Sequence, residues 1–520
     1  MIHVYRTLAL IALFIASLAP AHAEQQDLAA TARGVVRVVL VATNGNDAYF
    51  VGHGSGFAVA PGKVLTNAHV VELLRTEKNL VVGIIPSEGK RSYGGKLVAY
   101  SPGNDLALIE LTKGNLPPVT FFAGALADGQ HVTAIGYPAA VDRAQGLDLS
   151  EMIQPLSPVK TSGTVSTGRS SHGFDTVLHT APMAQGNSGG PLVDDCGRVL
   201  GVNSFGSEAE SDADAEFGFA VSNREVASFL RQAGVQFQRT TTPCRSIAEL
   251  DAAEAKRKQD EFVRQQQRDF AEATARQRAN EDARQQAEQE LYSSRENMIA
   301  IAGVLLVLGG LSLGAAMMFH AEGRERERLW AGAAGVALLI GALAVFFLRP
   351  SFSTIEDRID PQAPGNTVAA VGSTYDPLGQ NICRIQESRS RITVSATTDV
   401  PLDWSQGGCV NGATQYVDGG GNGDGGWTRI LVPGDEATVS INSFDPASGT
   451  YKVERYLPDA DILAQARDLK SRVPFNGCTS DPGRLAELQR AQADIRAVLP
   501  PQPNERLVYQ CQRSASIEGR

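Results

Sequence analysis

The sequence predicts an all-β domain of barrel or sandwich type, then a long helical stalk, a two-helix membrane hairpin and a small α+β domain containing disulfides. Three observations predict this order. Short β-branched runs punctuated by Gly, Pro, Asn and Asp fill residues 33 to about 222. A charged stretch without Gly or Pro follows over 246–297. Two uncharged apolar segments, 298–319 and 329–348, come next, each long enough to cross a bilayer. At 520 residues the chain exceeds one ordinary domain. A formal charge of −10, with no Lys/Arg cluster, argues against a nucleic-acid partner.

In chain order, His3 and Arg6 precede a short apolar run, and Ala21-His22-Ala23 offers a cleavage site. Residues 1–23 therefore read as a signal peptide, and 24–243 as the exported β domain. Its strands are expected in GVVRVVLVA, GSGFAVA, NLVVGII, DLALIEL, HVTAIGYP, RVLGVNS and EFGFAVS, with a helix closing the domain over 223–233. Residues 244–297 read as a solvated stalk or weak coiled coil. Pairs such as Glu254–Lys258 and Glu272–Arg276 have the favourable i,i+4 order, and a sustained apolar seam is missing. The link 320–328 carries Arg324, Arg326 and Arg328, which places it on the cytoplasmic side. Small residues, Gly310 and Gly314 or Ala331 and Gly335, would let the two spans pack closely.

Residues 350–520 then return to the exporting side. Strands are expected in RITVSATT, TRILVP, EATVSIN and TYKVERYL, and helices near 459–473 and 481–498. The loop DGGGNGDGG, 418–426, lacks calcium-ligand spacing and reads as a turn. The disulfide candidates are Cys196, Cys244, Cys383, Cys409, Cys478 and Cys511, all in segments assigned to an oxidising compartment. Cys196 and Cys244 are placed to bridge the β domain to the stalk base. The pairing of the other four is open. No metal-ligand set and no cofactor are expected.

The chemistry centres on APMAQGNSGGPLV, 181–193. A serine nucleophile needs a base, an acid to orient that base, and donors for an oxyanion. Ser188 is the candidate nucleophile. His69, in KVLTNAHVVE, is the candidate base, and Asp105, in GNDLALIEL, the orienting acid. His53 is the main rival base, and His179 reads as structural.

The order His69, Asp105, Ser188 is of chymotrypsin type. Together GSGFAVA, VLTNAHVV, NDLALIEL, GNSGGPLVDDCGRVLGVNS and FGFAVSN make residues 33–235 resemble trypsin-like serine proteases of the bacterial HtrA/DegP type. The resemblance implies two packed six-stranded β-barrels and an endopeptidase acting through an acyl-enzyme on protein or peptide substrates. It implies an oxyanion hole built from the backbone N–H groups of Gly186 and Ser188. Phe217, Gly218 and Phe219 would line the substrate pocket. Pro182 stands where members that cleave after basic residues carry Asp, so small or apolar residues are the expected specificity. Asn187 replaces the Asp that captures a new N-terminus in digestive relatives. The family's usual PDZ domains are replaced here by stalk and hairpin.

The expected protein is a membrane-anchored serine endopeptidase of a bacterial inner membrane. Its protease and C-terminal domains would face the periplasm and serve protein quality control or envelope signalling. The stalk and membrane helices are the surfaces available for oligomerisation. The rival is a catalytically silent protease-fold sensor acting through its C-terminal domain.

Overall fold

A computed structural model describes residues 23–44, 47–171, 173–207, 217–348, 378–419, 426–434 and 436–513. The expected signal peptide, except Ala23, His172 and most of the 418–426 loop lie outside the described residues. The chain divides into two compact units. One comprises residues 1–254 with 374–520, and the other 255–373.

The first unit begins with helix α1 (Ala23–Ala32). Six strands follow: β1 (Val35–Asn44), β2 (Asp47–Ala60), β3 (Lys63–Thr66), β4 (Leu80–Pro86), β5 (Tyr93–Ser101) and β6 (Leu106–Leu111). They close a barrel in the order β1-β2-β3-β6-β5-β4. The apolar run LALIEL in β6 shows why its strands are buried on both faces. Ala107, Ile109 and Leu111 point into this barrel. Leu106 and Leu108 point outward, into a core shared with Phe121, Ile135, Val199, Val202 and Val221. Period-two alternation therefore serves two cores at once.

The second barrel uses β7 (Thr120–Phe122), β8 (His131–Gly136), β9 (Val159–Ser171), β10 (Phe174–His179), β11 (Pro191–Val193), β12 (Val199–Gly206) and β13 (Gly218–Ser222). β11, β8, β9, β10, β13 and β12 run in sequence, and a β11–β12 pairing closes the ring of six. Strand β7 and β14 (Gln238–Thr240) extend it from β12. Short helices α2 (Ala139–Gln145) and α3 (Leu149–Met152) follow β8. Helix α4 (Asn223–Gln232) buries Val226, Phe229 and Leu230 in the shared core, as expected for its position. Two six-stranded barrels are therefore present, and the active-site candidates fall between them.

The C-terminal domain is a nine-stranded sheet. Its strands are β15 (Gly379–Ile385), β16 (Val400–Ser405), β17 (Cys409–Val410), β18 (Thr414–Gln415), β19 (Val417–Asp418), β20 (Trp427–Leu431), β21 (Val439–Asp445), β22 (Thr450–Tyr456) and β23 (Glu505–Arg513). The order β18-β17-β16-β15-β23-β22-β21-β20-β19 begins and ends on one short segment, divided only at Tyr416. The sheet thus curls around a core containing Trp404, Tyr416, Phe444, Tyr451 and Tyr509. Three disulfides form: Cys196–Cys244, Cys383–Cys511 and Cys409–Cys478.

RITVSATT is not a strand, apart from an isolated bridge at Arg391. The buried Glu505 carboxylate accepts the backbone N–H groups of Thr393 (2.6 Å), Val394 (2.5 Å) and Ser395 (2.9 Å). Consecutive N–H groups wrapped on one anion cannot also form a ladder.

The unit 255–373 contains most of one helix, α5 (Ile247–Ala321), in which stalk and first apolar segment are continuous. Phe262 and Phe270 are exposed on it, consistent with a solvated stalk. Helix α6 (Glu325–Phe347) begins inside the expected 320–328 link, so the turn between helices is shorter than the sequence suggested. Both helices are long and apolar enough to cross a membrane. Their close approach uses Gly309 and Gly335. A side chain at 335 would lie 2.8 Å from Leu313 and one at 309 would lie 3.3 Å from the Gly335 carbonyl. Gly310 and Gly314, expected at this contact, face open space. Helix phase decides this, because adjacent positions point about 100° apart.

Two helices of the C-terminal domain, α7 (Ala460–Arg472) and α8 (Pro482–Val498), are capped by Asp459 and Asp481. The cap carboxylates accept N–H groups from Ile462 and Gly483 at 2.9 Å each, which fixes both helix starts near the expected positions.

Candidate active site

His69 opens a 3₁₀ turn directly after β3, and Asp105 closes the turn Pro102–Asn104 directly before β6. Because β3 and β6 are paired, the two turns emerge at the same barrel end. Asp105 adopts a left-handed conformation (φ 52°), which short Asp side chains tolerate. Its carboxylate accepts the His69 N–H at 3.1 Å and lies 2.9 and 3.0 Å from His69 Nδ1. An acceptor-only carboxylate places the proton on Nδ1 and leaves the Nε2 lone pair outward. Ser204 Oγ donates to Asp105 Oδ2 at 2.5 Å. Sequence reading missed Ser204, since nothing in RVLGVNSFG marks its hydroxyl as a partner of a residue in the other barrel.

The loop carrying Ser188 can be accounted for peptide by peptide. The Gln185 carbonyl accepts from Ala139 N–H at 2.8 Å. The Gly186 carbonyl accepts from Ser55 Oγ at 2.6 Å, and Asn187 N–H donates to Ala184 O at 3.0 Å. The Asn187 carbonyl accepts from Gly190 N–H at 3.0 Å. The Ser188 carbonyl accepts from Ser55 N–H at 2.8 Å, and Gly189 N–H donates to Asn203 O at 2.8 Å. Among these described groups, the N–H of Gly186 and the N–H of Ser188 are left without a protein acceptor. Trans peptides turn each N–H away from its own tethered carbonyl. Gly186 has φ 99°, and a side chain there would lie 2.2 Å from the Tyr137 carbonyl. Glycine is thus required by both backbone and space.

Ser188 Oγ donates to the Ser204 carbonyl at 2.7 Å. Among the described residues no hydrogen bond joins it to His69 Nε2. One stretch, Ser204, therefore touches both the carboxylate and the serine: its hydroxyl bonds Asp105 and its carbonyl bonds Ser188.

His53, the rival base, belongs to a buried cluster that borders Gly186. Its Nε2 lies 3.0 Å from the Tyr137 carbonyl and 3.3 Å from Asp142, which also pairs with Arg37 at 2.7 Å. Burial pushes its imidazole pKa down. Pro182 is exposed, and Thr161 Oγ1 donates to its carbonyl at 2.7 Å. Phe219 stacks on Phe205 with ring centres 4.7 Å apart, while Gly218 packs on His179. Asn187 is buried beside Gly136.

Residues 54–202 match the family model described as a trypsin-like peptidase domain. This stretch is a trypsin-like peptidase domain, and its relatives include serine proteases of the Do and HtrA kind. Serine protease Rv3671c of Mycobacterium tuberculosis is 32% identical over 221 residues, which cover 42% of this chain and 51% of the relative. A probable periplasmic serine endoprotease, DegP-like, of Marinomonas is 36% identical over 157 residues, covering 29% of each chain. The crystal structure of Rv3671c protease, active form, aligns with 44% of this chain and 92% of its own, at 27% identity and a TM-score of 0.32. The chain thus spans about half the length, or less, of these curated relatives.

His179 in the peptidase domain predicts an acid limb of stability. The ring is fully buried, and burial pushes its pKa down to about 4, with Asn203 opposing. Neither ring nitrogen makes a hydrogen bond of ordinary geometry. A neutral folded imidazole against an unfolded value near 6.5 gives stability that is complete above about 6.5. It is lost as pH falls toward 4, by about 2–3 kcal/mol. Denaturant unfolding from pH 7 to 4.5 should show a shallower fall in His179→Gln than in the wild type. Equal slopes would reject this assignment.

Proposed function

We propose that the protein is a membrane-anchored serine endopeptidase that cleaves peptide bonds through an acyl-enzyme. Ser188 attacks the scissile carbonyl, and His69 takes its proton and later delivers it to the leaving amine. Asp105 holds the His69 tautomer and stabilises the imidazolium. The oxyanion that forms is held by the N–H groups of Gly186 and Ser188. The observation that carries this reading is the pair of unsatisfied N–H groups flanking Asn187, beside a His69–Asp105 pair of matching chemistry. Ser188 must turn its hydroxyl from Ser204 O toward His69 Nε2, a side-chain rotation about one bond. That resting contact also gives the silent-sensor reading its one specific support.

Residues 24–243 act as the protease domain in this reading, 244–297 as a stalk, and 298–319 and 329–348 as the spans. The 320–328 link is cytoplasmic and 350–520 is extracytoplasmic. The apolar helices and the periplasmic DegP-like relative support a bacterial inner membrane with the peptidase outside. Envelope proteins near the membrane are the substrates, cut after small or apolar residues.

The C-terminal domain makes buried contacts with α1, so the decisive experiment uses the full chain in detergent. A fluorophosphonate probe should label wild-type protein and spare Ser188→Ala. No Ser188-dependent labelling, with or without unfolded protein substrate added, would leave the sensor reading in its place.

A further inference from the structure

Ser55 holds an unusual position beside the serine loop. Ser55 lies on β2 of the first barrel and is fully buried, yet two of its groups bond the serine loop of the second barrel. Its N–H donates to the Ser188 carbonyl at 2.8 Å, and its Oγ donates to the Gly186 carbonyl at 2.6 Å. The same Oγ accepts the Tyr137 N–H at 2.9 Å, which fixes the hydroxyl proton toward Gly186. The Ser55 carbonyl accepts from Thr66 Oγ1 at 2.6 Å, three residues before His69. Its polar groups are thus committed to the serine loop, to Tyr137 after β8 and to the end of β3 that leads into His69.

Small residues make this position tight. A Cβ at Gly136 would lie 2.7 Å from Ser55 Oγ, and one at Gly189 would lie 2.1 Å from the Ser55 carbonyl. Peptides alternate along the loop. Those tied by Ser55, 186–187 and 188–189, flank the peptide that presents the Ser188 N–H. The first of them adjoins the peptide that presents the Gly186 N–H. If the Gly186 carbonyl were released, its peptide could turn, because Gly186 tolerates many backbone angles. The Gly186 N–H, on the preceding peptide tied through the Gln185 carbonyl to Ala139, would then lose its support on the other side.

We propose that Ser55 is a positioning residue for oxyanion stabilisation, holding the Gly186 and Ser188 carbonyls so that both N–H groups stay free for the substrate oxyanion. It touches no substrate and moves no proton. The proposal rests on the reading of Ser188 as the nucleophile. The chemical signature is specific: binding of the ground-state substrate is spared, and stabilisation of tetrahedral species is lost.

Two variants test it: Ser55→Ala, which removes the hydroxyl, and Ser55→Cys, which keeps the volume with a weak donor. In the full-length protein, kcat should fall roughly ten- to a hundred-fold with KM within about twofold. Affinity for a peptide boronate, which forms a tetrahedral adduct on Ser188, should fall by the same factor as kcat/KM. Affinity for the matching cleaved peptide should not change. A second readout needs no catalysis. On a Ser188→Ala background, a crystal structure of the Ser55→Ala protein should show the 185–187 peptides rotated and the Gly186 N–H bonded elsewhere. Wild-type kcat and boronate affinity in both variants, or an unmoved Gly186 peptide, would overturn the proposal. A wild type that never labels with fluorophosphonate would overturn the enzymatic reading, and the Gly186 geometry alone would then decide the role of Ser55.

Discussion

Ser188→Ala is expected to lower kcat for peptide hydrolysis by on the order of 10⁶, and His69→Ala by a similar factor. The double variant should be little worse than either single one, because nucleophile and base act as one unit. Asp105→Asn is expected to cost about 10⁴. The carboxylate now accepts from the His69 backbone, from Nδ1 and from Ser204 Oγ, and it has no donor of its own. An amide at this position would present N–H groups to two donors. It would also favour the tautomer with its proton on Nε2, which cannot accept from Ser188. Single-turnover measurements on a fluorogenic peptide check these factors. Activity of Ser188→Ala within tenfold of wild type would remove Ser188 from the mechanism.

The second large effect concerns stability. Arg391→Ala should destabilise the protein by about 3–5 kcal/mol. Arg391 and Asp27 form an ion pair with side chains only 2% and 0% exposed. Arg391 also donates from Nε to the Arg245 carbonyl at 2.9 Å, and Asn504 Nδ2 donates to Asp27 Oδ1 at 2.8 Å. Three parts of the chain meet here: α1, the segment after Cys244, and the C-terminal domain. Arg33 adds a bond to the Leu457 carbonyl at 2.8 Å. Burial pushes the Asp27 carboxyl up to about 6 even with Arg391 and Asn504 holding it down. Removing the guanidinium therefore leaves a fully buried carboxyl without its counter-charge, which must take up a proton to stay buried. Arg391→Leu combined with Asp27→Asn should recover much of the loss, because no charge is then orphaned. Arg389→Ala is the control. Its pair with Glu254 is partly exposed and should be worth less than 1 kcal/mol. Denaturant midpoints of the full chain check all three, and an Arg391→Ala loss no larger than the control would contradict the packing argument.

That junction also changes how the C-terminal domain is understood. The sequence reads 350–520 as a domain separate from 24–243. Its described part shares a compact unit with the peptidase domain, and Thr242 Oγ1 reaches Glu387 at 3.1 Å across that junction. The disulfide Cys196–Cys244 fixes the linker from which these contacts start.

Much of the peptidase domain was legible because its signals are local. Strands of β-branched residues between turn formers announce themselves, and GNSGGPL, TNAHVV and NDLALIEL are short motifs with fixed spacing. Helices α7 and α8 were legible for the same reason, through the Asp residues that cap them. The nest around Glu505 was not. It joins residues more than a hundred positions apart, and RITVSATT has every local mark of a strand. Of the glycine contact between the apolar helices the sequence named Gly335 but offered Gly310 and Gly314 in place of Gly309, for a smaller reason. Composition identifies small residues, but rotation of one helix against the other selects which of them touch.

The sequence by itself determined most of the element types and singled out His69, Asp105 and Ser188 as the candidate triad, since each depends on residue identity and near neighbours. The tertiary structure alone decided that Ser204 completes the carboxylate's shell, that Ser55 ties the serine loop from the opposite barrel, and that Asp27 anchors the C-terminal domain. Each of these is a hydrogen bond or ion pair between distant parts of the chain. Its strength comes from burial, and burial exists only once the barrels and the C-terminal sheet have packed.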